Sequence, residues 1–367
     1  MKKPVAETPK TMKAVLLKGY GGFEQLEYRE DVGVPVPQAG EVLIRVAAAG
    51  INNTDINTRT GWYSKGVSEG TTADAGKSGY AAANAGDAGW TGGARKFPLI
   101  QGADVCGRIV SVGPGVEATR IGERVLVEPA LREPVGWRPN EAIYLGSECD
   151  GGFAEYTKAP AVHAYPIASD LSDPELATFP CAYSAAENMV TRANVVQGET
   201  VLITGASGGV GSAAVQLAIR RGAKVIAVTS AAKADQVKSL GADRIVLRER
   251  NLLDQLAAET IDVVIDVAGG PQWPALLDAL KRGGRYAVSG AIAGPIVALD
   301  LRTLYLKDLR LLGCTILEPP VFANLVGYIE RGEIKPVLAK TFPLMDIVRA
   351  QQEFLGKGFV GKLVLLP

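Results

Sequence analysis

Histidine is almost missing from this chain of 367 residues, His163 being the single one. Mechanisms built on a pair of imidazoles, and metal sites made of several, are thereby excluded. Cysteine is scarce and scattered: Cys106, Cys149, Cys181 and Cys314 include no CxxC pair. A disulfide scaffold is therefore not expected, and a reduced, cytoplasmic setting is. Net charge is absent as well, with 39 Lys and Arg against 39 Asp and Glu. No basic run exceeds a pair, which argues against nucleic acid or an anionic membrane as the main partner. Long apolar runs are also lacking. Ala213–Ile219 falls far short of the roughly 20 residues that span a bilayer, and Met1–Met12 holds no apolar segment of the kind a secretory signal needs.

What is present is a globular composition, 47% hydrophobic and 21% charged, in a length that favours two domains. Residues 1–11 are polar with two prolines and read as a loose arm. From Met12 the chain turns to short strands: 13–17, 24–29, 41–47, 105–112 and 124–128, joined by glycine-rich turns. Residues 64–96 interrupt this pattern with Gly, Ala, Ser and Thr and few large apolar side chains. They read as a mobile surface insertion, or alternatively as a lid or oligomer contact. After about residue 165 strands and helices alternate. A helix is expected over 173–192, strands over 200–204, 224–229, 244–247, 261–267 and 285–289, and helices over 209–221 and 232–240. Continuously apolar strands alternating with helices specify a parallel, doubly wound α/β sheet. The tail, 337–342 and 362–366, is strand-like again.

The sharpest local signal is Thr200–Gly211, an apolar strand running into Gly-Ala-Ser-Gly-Gly-Val-Gly and then a helix. Ala206, Ser207, Gly208, Gly209, Val210 and Gly211 form a dinucleotide cradle with alanine at its first position. Gly208 lets backbone amides approach a pyrophosphate, whose charge the helix N-terminus favours, and Gly211 lets the helix pack on the sheet. NAD binders place a carboxylate about twenty residues on, at the end of the second strand. Here Thr229-Ser-Ala-Ala-Lys233 has none before Asp235. Ser230, Lys233 and Arg248 are instead suited to a 2′-phosphate, which makes NADPH the expected cofactor.

With the cradle, the segments Ala49-Gly-Ile-Asn-Asn-Thr-Asp55, Gly102-Ala-Asp-Val-Cys-Gly107, Gly122-Glu-Arg-Val125 and Gly152-Phe-Ala-Glu-Tyr156 resemble the medium-chain dehydrogenase/reductases, specifically their zinc-free quinone oxidoreductase branch. The resemblance implies a GroES-like, β-rich catalytic domain (12–164 and 317–367) around a Rossmann domain (165–316), with the site in the cleft. Zinc-dependent relatives take a thiolate, a histidine and a cysteine from segments that here present Asn52, Ala103 and Cys181, so no metal is expected. His163 reads as structural, Cys181 as packing, and Arg59 as a surface or loop-bracing charge. By resemblance Asn52 orders the nicotinamide side, Asp55 braces its loop, and Tyr63 is either a proton donor or a pocket wall. Ser184, Val267, Ala268, Ser289, Gly290 and Lys362 are the remaining implied cofactor contacts. The implied activity is zinc-independent, NADPH-dependent reduction of a quinone or of the double bond of an α,β-unsaturated carbonyl. Alternatives are a metal-free alcohol/ketone oxidoreductase and an idle NADPH-binding regulatory protein. A homodimer through 309–315 is a family-level expectation.

Overall fold

The computed structural model describes residues 8–367, so most of the expected arm, 1–7, lies outside the described residues. In the N-terminal half the strand Glu41–Gly50 is the spine of a seven-stranded sheet. It runs antiparallel to Asp104–Val112 on one side and, through Ala49 and Gly50, to the C-terminal strand Lys362–Leu366 on the other. Val42, Ile44 and Val46 alternate inward to a core shared with Val105, Ile109 and Leu363, as a half-buried strand must. Both ends of the chain thus close one β body. A three-stranded sheet centred on Thr11–Leu17 packs with it.

The second body is a six-stranded parallel sheet. Its strands are β1 (Thr200–Ile203), β2 (Lys224–Thr229), β3 (Arg244–Leu247), β4 (Ile261–Asp266), β5 (Leu280–Val288) and β6 (Arg310–Gly313). Their spatial order is β3-β2-β1-β4-β5-β6, the doubly wound order whose direction reverses between β1 and β4. Ligands of such sheets bind outside the carboxyl ends at that reversal. Three helices position the site: α1 (Asn53–Thr60), α2 (Pro180–Arg192) and α3 (Gly209–Arg220).

Four expectations are corrected. The single helix expected over 173–192 is two, Asp173–Leu176 and α2. Pro180 cannot continue a helix from before it but fits the first turn of the next one. The helix Val321–Glu330, expected with the β body, joins the other one. Phe322 and Leu325 enter the core shared with α2 and α3, Tyr328 donates to Glu187 Oε1 at 3.3 Å, and the Arg220 guanidinium lies 3.4 Å from its ring.

Residues 64–96 are not a loose insertion. They carry few large side chains but dock on surfaces that others supply. Gly76 sits against Leu355, Ala88 is fully buried, Tyr80 donates to Gly70 O at 2.6 Å, and Thr71 N–H donates to Ile292 O of the second body at 2.9 Å. Finally, Arg59 is not at the surface at all. It is wholly buried on α1, donating to Gln351 Oε1 and Gly21 O at 2.9 Å each, with its guanidinium 4.5 Å from the Phe23 ring. Burial lowers its pKa to about 10, which still leaves it cationic. Arg59 ties α1 to the C-terminal helix Ile347–Gly356 and to the N-terminal turn. Arg59→Ala leaves a cavity, the buried Gln351 Oε1 and the half-buried Gly21 O unpaired, so urea unfolding is expected to show a loss of about 3 kcal/mol.

Candidate active site

The floor of the cleft is built on one buried carboxylate. Asp104, the first residue of its strand, has no exposed surface. Its Oδ2 accepts from Asn52 Nδ2 and from Lys362 Nζ, each at 2.7 Å, and its Oδ1 accepts the Cys181 backbone N–H at 2.5 Å. Lys362 is equally buried and spends its other donors on Ile51 O, at 2.9 Å, and on Asn52 Oδ1. Asn52 also begins α1, where Asp55 Oδ2 accepts the Asn52 N–H at 2.7 Å to close a capping box. Burial pushes the Asp55 carboxyl up to about 7, opposed by that N–H and by the Lys362 charge. Asp55 does not reach the cavity and acts on the site through the loop it holds. Three segments far apart in sequence therefore converge on Asp104.

Above this floor lies a cavity of about 510 Å³ bounded by both bodies. On the second body it is lined by Gly208, Gly209, Val210 and Gly211 at the start of α3, by Ser184 of α2, and by Val267, Ser289 and Gly290 beyond β4 and β5. Ala206, Ser207 and Ala268 do not line it; Ala206 is buried behind the loop, its N–H bonded to Val228 O. The glycines separate by role. A Cβ on Gly211 would lie 2.2 Å from Gly205 O, so helix and strand can meet this closely only over glycine. A Cβ on Gly208 would meet nothing nearer than Gly205 O at 3.4 Å. Packing does not require glycine there, whereas the approach of a ligand would. No side chain caps the N-terminus of α3, so its first amides face the cavity as a site for a phosphate.

The loop after β4 rests on a residue that the sequence reading missed. Asp266 is buried and accepts from Thr204 Oγ1, from Tyr286 Oη at 2.5 Å and from the Ala268 N–H at 2.8 Å. An acid closing an otherwise apolar strand was the available signal. Ser230 and Lys233, after β2, and Arg248, after β3, stand beyond the cavity wall. Lys233 Nζ donates to Lys357 O, and Arg248 N–H donates to Thr229 O at 2.9 Å. Lys357, also missed, does line the cavity. The residue as a whole keeps exposed surface, but its ammonium lies 3.7 Å from the Phe354 ring, and burial there, then the Lys233 charge, hold its pKa below the ordinary lysine value.

The opposite end of the cavity is aromatic. Tyr63 donates to Thr54 Oγ1 at 2.9 Å, and burial pushes its pKa up to about 12. Tyr144, Trp62 and Trp90 share this wall; none was singled out from sequence as a site residue, since aromatics in loops and in a two-residue strand carry no periodic signal. The Tyr144 hydroxyl lies 3.0 Å from Cys181 Sγ, a thiol that burial pushes up to about 12. His163 is remote from the cavity. Its Nε2 accepts the N–H groups of Arg132 and Glu133, each at 3.1 Å, which leaves Nδ1 to donate to Glu128 Oε2 at 2.8 Å. Its role is structural.

Residues 77–169 match the family model described as alcohol dehydrogenase GroES-like domain, and residues 209–331 the one described as zinc-binding dehydrogenase. An acryloyl-coenzyme A reductase of Metallosphaera sedula is 30% identical, across 96% of this chain and 99% of its own length. A quinone oxidoreductase of Mus musculus is 29% identical, across 99% and 100%. Among solved structures, a putative alcohol dehydrogenase of Sinorhizobium meliloti is 46% identical with a TM-score of 0.86, across 99% of this chain and 98% of that one.

The second of those models names zinc, and the donor set here does not suit it. A catalytic zinc takes three protein ligands and keeps an open position. The residues in question are Asn52, Ala103 and Cys181, and the nearby carboxylate, Asp104, already holds an ammonium. No group of three or more His, Cys, Asp and Glu that could hold a metal ion occurs among the described residues. Lys362 is thus the positive charge that Asp104 requires. Removing it in Lys362→Met strands a buried anion and is expected to cost about 3–5 kcal/mol in urea unfolding. The double variant Lys362→Met/Asp104→Leu should regain most of that loss; failure to do so would show that the pair is not the source of the cost.

Proposed function

The chain belongs to the medium-chain dehydrogenase/reductase family, and from that premise we propose that it is a zinc-independent, NADPH-dependent reductase of a quinone or of the double bond of an α,β-unsaturated carbonyl. It is an oxidoreductase of nicotinamide type by family. The relatives named quinone oxidoreductase and acryloyl-coenzyme A reductase support a conjugated acceptor. The single observation that carries the metal-free reading is the Asp104–Lys362 pair at 2.7 Å, with an amide and a methyl side chain where the resemblance implies that zinc-dependent members present ligands. Reduction of an isolated ketone concentrates charge on one oxygen, where a Lewis acid helps most. A conjugated acceptor spreads that charge, and hydrogen-bond donors suffice.

In this reading the α3 N-terminus and Gly208–Gly211 hold the pyrophosphate, while Val267, Ser289, Gly290 and Ser184 line the ribose and nicotinamide and Ala268, through its N–H bond to Asp266, sets the path of the loop behind them. Asn52, fixed by Asp104 and Lys362, closes the nicotinamide side, so Lys362 supports the cofactor through Asn52. Ser230, Lys233 and Arg248, joined by Lys357, take the 2′-phosphate. Bound there, the nicotinamide supplies a hydride. The acceptor also needs a proton, and Tyr63 is placed to give or polarise it: its O–H stays protonated through neutral and alkaline pH, and the bond it makes to Thr54 Oγ1 turns to the acceptor when one is bound. The edge strand β6 and the exposed Leu301, Tyr305, Leu306 and Leu311 beside it support a homodimer through 309–315.

Two measurements test this. First, the purified protein is expected to oxidise NADPH with small quinones or enones and to keep its rate in the presence of chelators. Lys233→Ala should raise KM for NADPH about tenfold with little change for NADH, the loss of one charge-assisted contact. Loss of activity on chelation with zinc bound in stoichiometric amount, or equal effects on both nucleotides, would overturn the metal and cofactor assignments respectively. Second, Tyr63→Phe should lower kcat by about a hundredfold if the phenol donates the proton. Because its pKa is raised, the donating form persists as pH rises, so wild-type kcat should show no alkaline decline from this group until pH nears 12. An unaltered kcat in Tyr63→Phe would leave Tyr63 as a wall only.

A further inference from the structure

The aromatic residues that close the acceptor end of the cavity come from outside the cradle and the Asp104 floor, and three of the four, Trp62, Tyr63 and Trp90, come from segment 62–96. Trp90 lies on Tyr144, ring centres 4.5 Å apart and planes inclined by 31°. Trp62 meets Tyr63 edge to face at 5.6 Å. Each tryptophan is held in place. The Trp62 indole N–H donates to Glu69 O at 2.8 Å. Trp90 is pinned by the residues on its C-terminal side: Thr91 N–H donates to Glu148 Oε1 at 3.4 Å, and Arg95, its side chain almost wholly buried, donates to Ser147 Oγ at 2.9 Å with Glu148 3.7 Å away. Ser147 and Glu148 come shortly after Tyr144, so the strap that carries Trp90 is anchored beside the ring it covers. At the segment's other end, Thr71 N–H reaches Ile292 O next to the cavity-lining Ala291.

Charge at this end is as telling as shape. The cations that line the cavity are Lys357 and Lys362. Lys362 has spent its donors on the floor, and Lys357 stands beside Lys233 at the far, adenosine end. What remains around the acceptor is four aromatic rings with neutral hydroxyls, the Asn53 and Asn57 amides and the Cys181 thiol, while the Arg95 guanidinium lies behind this wall, bonded to Ser147 and 3.7 Å from Glu148. Such a wall recognises a flat, uncharged, conjugated ring by stacking, with the Tyr63 and Tyr144 hydroxyls turning from Thr54 and Cys181 to donate to its carbonyl oxygens. An open acyl chain presents no ring for it to stack on. We propose that Trp90 makes this chain selective for planar, ring-type conjugated acceptors, of the quinone class, over open-chain and coenzyme-A-linked enoyl substrates. This rests on the reductase reading above and decides between the acceptor classes it leaves open.

The test measures kcat/KM with NADPH for naphthoquinone, methyl vinyl ketone and acryloyl-coenzyme A, in wild type, Trp90→Ala and Trp90→Phe. Wild type is expected to prefer naphthoquinone to both of the others. The ratio of naphthoquinone to methyl vinyl ketone should fall at least about tenfold in Trp90→Ala, the loss of one stacked face, and return most of the way in Trp90→Phe. If Trp90→Ala fails to fold, as its thermal unfolding would reveal, Trp90→Leu keeps an apolar side chain without the ring and reads the same ratio. A wild-type preference for acryloyl-coenzyme A, or a ratio that does not change with the ring, overturns the proposal. A wild type that reduces none of the three acceptors overturns the reductase reading itself, before any variant is made.

Discussion

A carboxylate sealed from water must be solvated by the protein, and in this chain that requirement falls on Asp104. Its partners are drawn from everywhere: an amide at the start of α1, an ammonium from the last strand, and a backbone N–H from the first turn of α2. Desolvating such a group is expensive, and leaving any lone pair unmet more so. Only an arrangement that brings these three segments together satisfies it. The closing of the chain's two ends into one sheet, the seating of α2 against the β body, and the placement of Asn52 at the cavity floor are thus parts of one electrostatic demand. Gly50 belongs to it as well, since a Cβ there would lie 2.6 Å from Asp104 Oδ2.

That demand also accounts for how the two bodies divide the chemistry. On the Rossmann side the ligand-facing groups are mostly main chain: the amides at the α3 N-terminus and the loops after β4 and β5, held by the buried Asp266. Main-chain recognition depends on backbone path, and hence on a few glycines and one capping acid. On the β side the ligand-facing groups are side chains of loops and of one two-residue strand, Tyr63, Trp90 and Tyr144 among them. A rigid floor between the two lets each half be built to its own rules.

The same division explains what could be read from the sequence. Local patterns with a short-range cause were legible: strands 224–229, 244–247 and 362–366 stand where the apolar runs put them, and the cradle sits between strand and helix. Asn52 and Tyr63 do reach the cavity. Features whose cause is long-range were not. Arg59 looks like any helical arginine until Gln351, nearly three hundred residues away, supplies its acceptor. Lys362 resembled a cofactor contact, and nothing adjacent to it announces that its partner is Asp104. The helix Val321–Glu330 follows the last Rossmann strand but has no local mark of which body will receive its apolar face.

Segment 64–96 shows how composition misleads. Sparse in large apolar residues, it has too little to bury within itself, and from composition alone it reads as mobile. But the surface a segment must bury need not be its own. Trp90 lies on Tyr144, Gly76 fits under Leu355, and Gly70 touches the loop after β5, where a Cβ would lie 2.6 Å from Ile292 O. Small residues here permit close approach to a surface already formed, and the few large ones serve as anchors. Such a segment orders only on the assembled fold, and where it spans a cleft it necessarily becomes part of the cleft's wall. Its sequence can then change what the cavity admits without disturbing the buried ion pair below or the glycine cradle opposite, because neither depends on it for a partner.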